Sequence, residues 1–175
     1  MKIVSTGAYA EPDRLVFKGE SMRVRDRKLM EGLEEETRNN AMLGFGAMEV
    51  RLQSSMYYLS VVGHHPCLRT AEQQHKLYER GRFEKFHGIW FIDRPEKVVT
   101  YKDGYIKKSR HQSGKAMDVI LRYRFSDAVI WANKKMGKEA RKCWELVTLE
   151  FERLGFKCGI FKKNFSDANH FEYHG

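Results

Sequence analysis

The sequence is poor in residues that cross-link or interrupt a chain. Its 175 residues include three cysteines and three prolines. The number of cysteines is odd and no Cys-x-x-Cys pair occurs, which argues against a disulfide framework and against a cysteine-based zinc cluster. We therefore expect Cys67, Cys143 and Cys158 to be reduced thiols in a protein that folds in a reducing compartment.

Long apolar runs are also missing. No stretch approaches the roughly 20 apolar residues of a membrane span, so we expect no transmembrane segment. The N-terminal residues become polar early and lack the apolar core of about 7–15 residues that a signal peptide needs. We expect synthesis in the cytoplasm without a signal peptide, so an extracellular target would require another route across the membrane.

An excess of acidic residues is absent as well. The 32 basic and 23 acidic residues give a net charge of +9, which favours anionic partners such as nucleic acid, an anionic membrane face or a cell wall that carries anionic polymers. Charge alone does not choose among them. Because the lysines and arginines are spread along the chain and form no patterned stripe, we do not expect specific nucleic-acid binding.

The order of local patterns predicts an α+β fold with a mainly antiparallel sheet, because strand-like and helix-like stretches mix without a βαβ repeat. Glycine-punctuated residues 39–46 and aromatic residues 83–96 are expected to be loops. The capping box Thr70-Ala71-Glu72-Gln73 predicts a helix start. Further helices are expected over 21–40 and over an apolar stripe that ends at Gly155, and strands over 57–62, 116–121, 156–160 and 169–173.

Two short motifs offer the ligands of a metal ion. His111 and Asp118 lie on either side of Gly114, and His170 follows near the C-terminus. Two imidazoles and a carboxylate suit a catalytic zinc, which keeps a fourth position open for water. Glycine lets the backbone turn so that a loop histidine and a strand aspartate can reach one ion. We predict that these three residues bind zinc.

Asp167 lies three residues before His170, which suits a general base that later acts as a general acid. Each residue also has an ordinary alternative. A histidine is more often a hydrogen-bonded structural residue, and an aspartate before a strand is often a turn residue. The combination of all four in one small chain favours the metal site.

These residues resemble a known signature. The pattern Ser109-x-His111-x-x-Gly114-x-Ala116-x-Asp118, followed by Asp167-x-x-His170, is similar to that of the zinc peptidoglycan peptidases. This family includes D-alanyl-D-alanine carboxypeptidases, vancomycin-resistance dipeptidases and phage L-alanyl-D-glutamate endolysins, and the phage branch is the most similar. The stretch 68–73 resembles the helix that follows the family's first core strand.

The resemblance implies a fold, a cofactor and roles for residues. The fold would be the small zinc-peptidase fold shared with the hedgehog signalling domain. His111, Asp118 and His170 would bind zinc, with Asp167 as the catalytic base. Arg69 would be catalytic and hold the substrate carbonyl or carboxylate. Two further residues would contact substrate or support the site, namely Ser109 and Gln73.

The implied activity is cleavage of peptidoglycan stem peptides, at the L-Ala–D-Glu bond or a related L,D or D,D bond, by a phage or prophage endolysin that acts at the bacterial cell wall. Residues 51–175 would form the catalytic domain, and residues 1–50 a partly helical extension within one compact domain. Peptidoglycan and anionic envelope polymers are the expected partners. The alternative is a non-catalytic binding module that keeps zinc for structure, although such a module would need neither Asp167 nor Arg69.

Overall fold

A central antiparallel sheet organises the fold in a computed structural model that describes residues 23–63, 67–132, 136–159 and 169–175. The helices within these ranges are α1 (Val24–Met30), α2 (Glu35–Arg51), α3 (Ala71–Tyr78) and α4 (Lys138–Arg153), with short 3₁₀ turns at Pro95–Lys97 and Arg110–Ser113. The strands are β1 (Tyr57–Val61), β2 (Arg82–Phe86), β3 (Ile89–Ile92), β4 (Ala116–Tyr123), β5 (Val129–Ile130), β6 (Phe156–Cys158) and β7 (His170–Tyr173).

The larger sheet has the strand order β1-β4-β7-β6, and β5 also pairs with β4. All of these pairings are antiparallel. Residues 119–121 of β4 are buried in succession, so both faces of this strand are covered. The α+β class and the mainly antiparallel sheet predicted from the sequence are confirmed.

Helix α4 supplies much of the core. Its apolar stripe buries Trp144, Val147 and Phe151 completely, as the 3.6-residue period predicts. The expectation of a loop over 39–46 was wrong, because α2 runs through this stretch. Its Gly44 lies so close to α4 that an added Cβ would come within 2.7 Å of the Phe151 ring. The glycine here permits close helix packing rather than a chain reversal.

The expected helix over 21–40 is divided into α1 and the start of α2. Both helices contribute to the same core as the sheet. The turn between them contacts the loop before β4, since the Glu34 backbone N–H donates to the Gly114 carbonyl at 3.0 Å. The division into an extension over 1–50 and a domain over 51–175 stays a prediction.

Strands β2 and β3 form a separate hairpin where the sequence predicted a loop. Aromatic residues pair across it, with Phe83 opposite Phe91. Gly88 adopts φ +81° at the turn, a conformation that favours glycine. On one side Trp90 packs edge-on against His75 of α3, with ring centroids 5.6 Å apart. The loop expectation was wrong because aromatic cross-strand pairs favour a hairpin.

Among the described helices, none combines the length and the apolar character that crossing a membrane requires.

Candidate metal centre

Strand pairing brings two of the predicted ligands together. Asp118 on β4 lies directly opposite His170 on β7 in the antiparallel ladder. The third, His111, comes from the 3₁₀ turn Arg110–Ser113, which ends at Gly114 with φ +67°. A Cβ at this glycine would lie 2.6 Å from the Glu34 backbone nitrogen. The turn into β4 therefore needs glycine for both its backbone conformation and its close packing.

The three side chains converge on one point. His111 Nε2 lies 3.2 Å from His170 Nδ1. Asp118 Oδ1 lies 3.0 Å from His170 Nδ1, and Asp118 Oδ2 lies 3.5 Å from His111 Nε2. Ligands of a tetrahedral zinc at 2.0–2.1 Å are separated by roughly 3.3–3.4 Å. The distances of 3.0–3.5 Å between these groups are therefore close to the separations between ligands of one tetrahedral zinc.

The outer nitrogen of each imidazole has its own acceptor. His111 Nδ1 lies 3.3 Å from the Cys67 carbonyl oxygen, and His170 Nε2 lies 3.0 Å from Glu172 Oε1. Because a carbonyl oxygen only accepts, the Nδ1 proton of His111 points towards Cys67 and its Nε2 lone pair towards the centre. The Glu172 carboxylate orients His170 in the same way, which is the arrangement that metal-bound histidines adopt.

Burial raises the pKa of Asp118, but the adjacent imidazoles of His111 and His170 outweigh burial and hold this pKa well below its usual range. The carboxylate is therefore ionised at neutral pH. An anionic oxygen with two neutral imidazole nitrogens is a donor set that fits zinc.

Arg69 lies at the edge of this centre. Its Nη2 is 3.9 Å from Asp118 Oδ2, and its Nη1 donates to Gln74 Oε1 at 2.8 Å. Gln74 is 1% exposed, and its amide nitrogen donates to Thr100 Oγ1 and to the Lys102 carbonyl. Gln74 therefore joins the arginine to the loop that follows the hairpin.

Comparison with known proteins agrees with this geometry. A family model described as D-alanyl-D-alanine carboxypeptidase matches residues 103–173, which include all three converging side chains. This part of the chain, 71 of its 175 residues, is therefore similar to that family of peptidases. No curated protein sequence matches it.

A solved structure shares the fold of this chain. The L-Ala-D-Glu endopeptidase ChiX of Serratia marcescens aligns with a TM-score of 0.52 over 87% of this chain and 89% of its own. The two sequences are 16% identical over the alignment, so the match shows a shared fold.

The remaining predicted site residues that the structure describes lie around this centre. A groove with two arms crosses it, and both arms are lined by Arg69, His111 and Asp118. Ser109 lines one arm and Gln73 the other. Asp167, the predicted general base, lies outside the residues that the structure describes.

Sequence reasoning selected Gln73 and missed its neighbour. Gln73 is exposed and completes the capping box of α3, in which its Oε1 accepts from the Thr70 backbone N–H at 2.9 Å. Gln74 lies three residues before Leu77, on the helix face that meets the groove. Residues three positions apart share one face of a helix, so Gln74 was expected on the same face as the apolar Leu77. A polar side chain on such a face was the signal that could have identified Gln74.

The Cys67 thiol is not a nucleophile at neutral pH. Burial and, to a lesser extent, the charge of Asp118 raise the pKa of its thiol to about 12. The thiol is therefore protonated at neutral pH, and a protonated thiol is a poor nucleophile and a poor metal ligand. The contribution of Cys67 to the site is its backbone carbonyl, which orients His111.

Proposed function

We propose that this peptidase is a zinc-dependent endopeptidase of the phage or prophage endolysin type that cleaves the peptide stems of bacterial peptidoglycan, at the L-Ala–D-Glu bond or a related one. The observation that carries the proposal is the convergence of His111, Asp118 and His170 beside Arg69 in an open groove. The protein that shares the fold, ChiX, is an L-Ala-D-Glu endopeptidase, which supports the choice of bond.

In this proposal His111, Asp118 and His170 hold zinc, which when bound supplies a Lewis acid that activates water and polarises the peptide carbonyl. The outer hydrogen bonds to the Cys67 carbonyl and to Glu172 keep both imidazoles in the ligating orientation. The protein therefore presents its donor atoms already arranged, and little side-chain ordering is needed when metal binds.

In this proposal Arg69 stabilises the negative charge that develops on the carbonyl oxygen during attack. A guanidinium held in place stabilises such charge without reorganising, and the hydrogen bond to buried Gln74 restrains it. Asp167 is assigned to proton transfer. It would accept a proton from the attacking water and donate it to the leaving amine, so the carboxylate is regenerated after each turnover.

The open groove and the position of Arg69 favour an enzyme over a module that keeps zinc only for structure. A structural zinc is usually enclosed by four protein ligands, whereas three ligands leave room for a substrate. The net charge of +9 supports the further proposal that anionic polymers of the bacterial envelope bind the protein and concentrate it at the wall.

The test is digestion of purified peptidoglycan by the zinc-loaded chain, with new amino termini identified by mass spectrometry. We expect cleavage within the stem, its loss after chelation and its recovery with zinc. Asp167→Asn should retain zinc and lose about 10²–10⁴-fold in rate, whereas Asp93→Asn, at an exposed ion pair with Arg94, should behave as the unchanged protein. Absence of stem cleavage with zinc present would refute the enzyme, and full activity of Asp167→Asn would refute its mechanism.

A further inference from the structure

A glutamate lies between two histidines at the end of β7. His170 and Glu172 belong to the strand, and His174 directly follows it. Alternate side chains of an extended segment project on the same side. Glu172 Oε1 lies 3.0 Å from His170 Nε2, and Glu172 Oε2 lies 3.4 Å from His174 Nε2. Each oxygen of this carboxylate therefore has an imidazole partner.

The backbone of His174 is held by neighbouring elements. Its N–H donates to the Gly155 carbonyl oxygen at 2.9 Å, in the turn that follows α4. The preceding residue, Tyr173, is buried, and its N–H donates to the Lys115 carbonyl oxygen at 2.8 Å. The His174 side chain is 28% exposed. Its imidazole therefore extends from a fixed backbone and is partly shielded from solvent.

The Glu172 carboxylate has a competing cation nearby. Glu172 and Arg110 line the same arm of the groove, and the charge of Arg110 acts on the carboxylate. Burial raises the pKa of Glu172, but the imidazoles of His170 and His174, together with Arg110, outweigh burial and hold this pKa below its usual range. An anionic carboxylate with one partner can rotate towards a guanidinium. A second imidazole partner opposes that rotation.

We propose that His174 is a positioning residue of the metal centre. Its Nε2–H donates to Glu172 Oε2, which keeps Glu172 Oε1 on the Nε2–H of His170 and the Nδ1 lone pair of His170 directed at the metal position. This inference rests on the proposed zinc centre and extends its supporting contacts by one residue. His174 lies just beyond residues 103–173, so the family match assigns it no role.

The proposed role is separate from substrate binding. In the part of the chain that the structure describes, Glu172 and His170 line the groove, whereas His174 lines neither of its arms. Once zinc is bound, the metal itself holds His170. Loss of His174 should therefore change how tightly zinc binds and have little effect on the zinc-saturated enzyme.

The expected size of the effect follows from the length of the chain of contacts. Loss of an outer partner that contacts a ligand directly weakens metal binding about 10–100-fold. His174 acts one step further out, through a longer and partly exposed hydrogen bond. We therefore expect His174→Ala to weaken zinc binding about three- to tenfold. At saturating zinc, kcat/KM should stay within about twofold of the unchanged protein.

The experiment measures the zinc affinity of the full chain by competition with a chelating dye. His174→Gln is the rescue variant, because its terminal amide reaches about as far as imidazole Nε2 and also donates a hydrogen bond. It should keep most of the affinity that His174→Ala loses. His87→Ala, at an exposed histidine of the hairpin turn, is the control and should bind zinc as the unchanged protein does. All variants should melt at the temperature of the unchanged protein.

A double variant tests whether His174 acts through Glu172. Residues in one hydrogen-bond network have non-additive effects. Glu172→Ala combined with His174→Ala should therefore bind zinc no more weakly than Glu172→Ala alone. A further loss in the double variant would give His174 a role that does not pass through Glu172, which would overturn the inference.

The remaining outcomes separate this inference from the proposed function. Unchanged zinc affinity in His174→Ala, or equal losses in His174→Ala and His174→Gln, would overturn the positioning role and leave the proposed function standing. Absence of zinc binding by the unchanged protein, with peptidoglycan also uncut, would overturn both.

Discussion

The two sheets of the molecule differ in how firmly their residues are held. In the five-stranded sheet, Met117 and Phe171 are fully buried and form the ladder pair next to Asp118 and His170. In the β2–β3 hairpin the paired rings Phe83 and Phe91 remain 47% and 43% exposed. The ligand positions are therefore fixed by ladder hydrogen bonds and core packing together, whereas the hairpin is fixed mainly by its own pairing and by contact with α3.

This difference assigns separate tasks to the two sheets. A metal centre needs donor atoms held to within about 0.5 Å, which a buried strand pair can provide. An exposed hairpin tolerates change and can diverge without disturbing the donors. Substitutions of the same type should therefore have very different effects on zinc binding and activity in the two sheets.

The largest difference is expected for histidines. His170→Ala removes one donor from the central sheet, and we expect zinc binding to be lost and kcat/KM on stem peptides to fall at least about 10³-fold. His87→Ala alters an exposed histidine at the hairpin turn and should leave both quantities within about twofold. Zinc titration and peptide kinetics measure them. A His170→Ala protein that binds zinc with unchanged affinity would refute the assigned ligand set.

The next difference concerns glutamates. Glu172→Ala removes the carboxylate that orients His170, and loss of such an outer partner weakens metal binding about 10–100-fold. Glu172→Gln keeps an acceptor oxygen and should lose about tenfold. Glu84→Gln on the hairpin keeps the acceptor for the Gly88 backbone N–H and should not change zinc affinity.

Competition with a chelating dye measures these affinities without reference to catalysis. Equal zinc affinity in Glu172→Ala and the unchanged protein would show that His170 is oriented by its strand alone. The backbone of the central sheet would then be sufficient to hold the donor atoms.

The metal centre was the part of the molecule most accessible from the sequence. Histidine and aspartate carry their ligand chemistry in any fold, and the spacing around Gly114 implied the turn that the structure contains. Asp118 was expected on a strand, and β4 carries it. The pairing of His170 with Asp118 required knowledge of the register between two strands that lie far apart in the sequence, which local patterns do not specify.

The sequence predictions of loops were wrong where a glycine or an aromatic residue can occur in more than one kind of secondary structure. Gly44 was interpreted as a loop residue, but its role depends on a ring of α4 that is distant in sequence. Phe83 and Phe91 were assigned to a loop, although β-propensity and a turn glycine also favour a hairpin. Gln74 was overlooked because its role depends on three groups brought together only by tertiary folding.

Gln74 connects Arg69 to the loop that follows the hairpin and should show an intermediate effect. Gln74→Ala removes one hydrogen bond that holds the Arg69 guanidinium, so we expect kcat/KM to fall about tenfold while zinc affinity stays unchanged. The lost hydrogen bonds should also lower the free energy of unfolding by about 1–3 kcal/mol. Gln53→Ala, at an exposed glutamine after α2, is the control and should change neither.

Kinetics are measured well below the melting temperature, so that the loss of stability does not enter the rate. A Gln74→Ala protein with lower stability but unchanged kcat/KM would show that Arg69 keeps its position without the glutamine. In that case the loop after the hairpin would contribute nothing to the chemistry.

The smallest effect is expected for the hairpin surface. Phe83→Ala removes one ring of an exposed cross-strand pair, which contributes roughly 0.2–1 kcal/mol, and kcat/KM on short peptides should stay within about twofold. Phe171→Ala, by contrast, empties a fully buried position next to His170 and should lower the free energy of unfolding by about 3–5 kcal/mol. Chemical denaturation measures both values. Phe83→Ala could leave short-peptide cleavage intact and still slow the digestion of whole peptidoglycan. The exposed rings of the hairpin would then contact the polymer, whereas the central sheet would act on the short peptide at the metal centre.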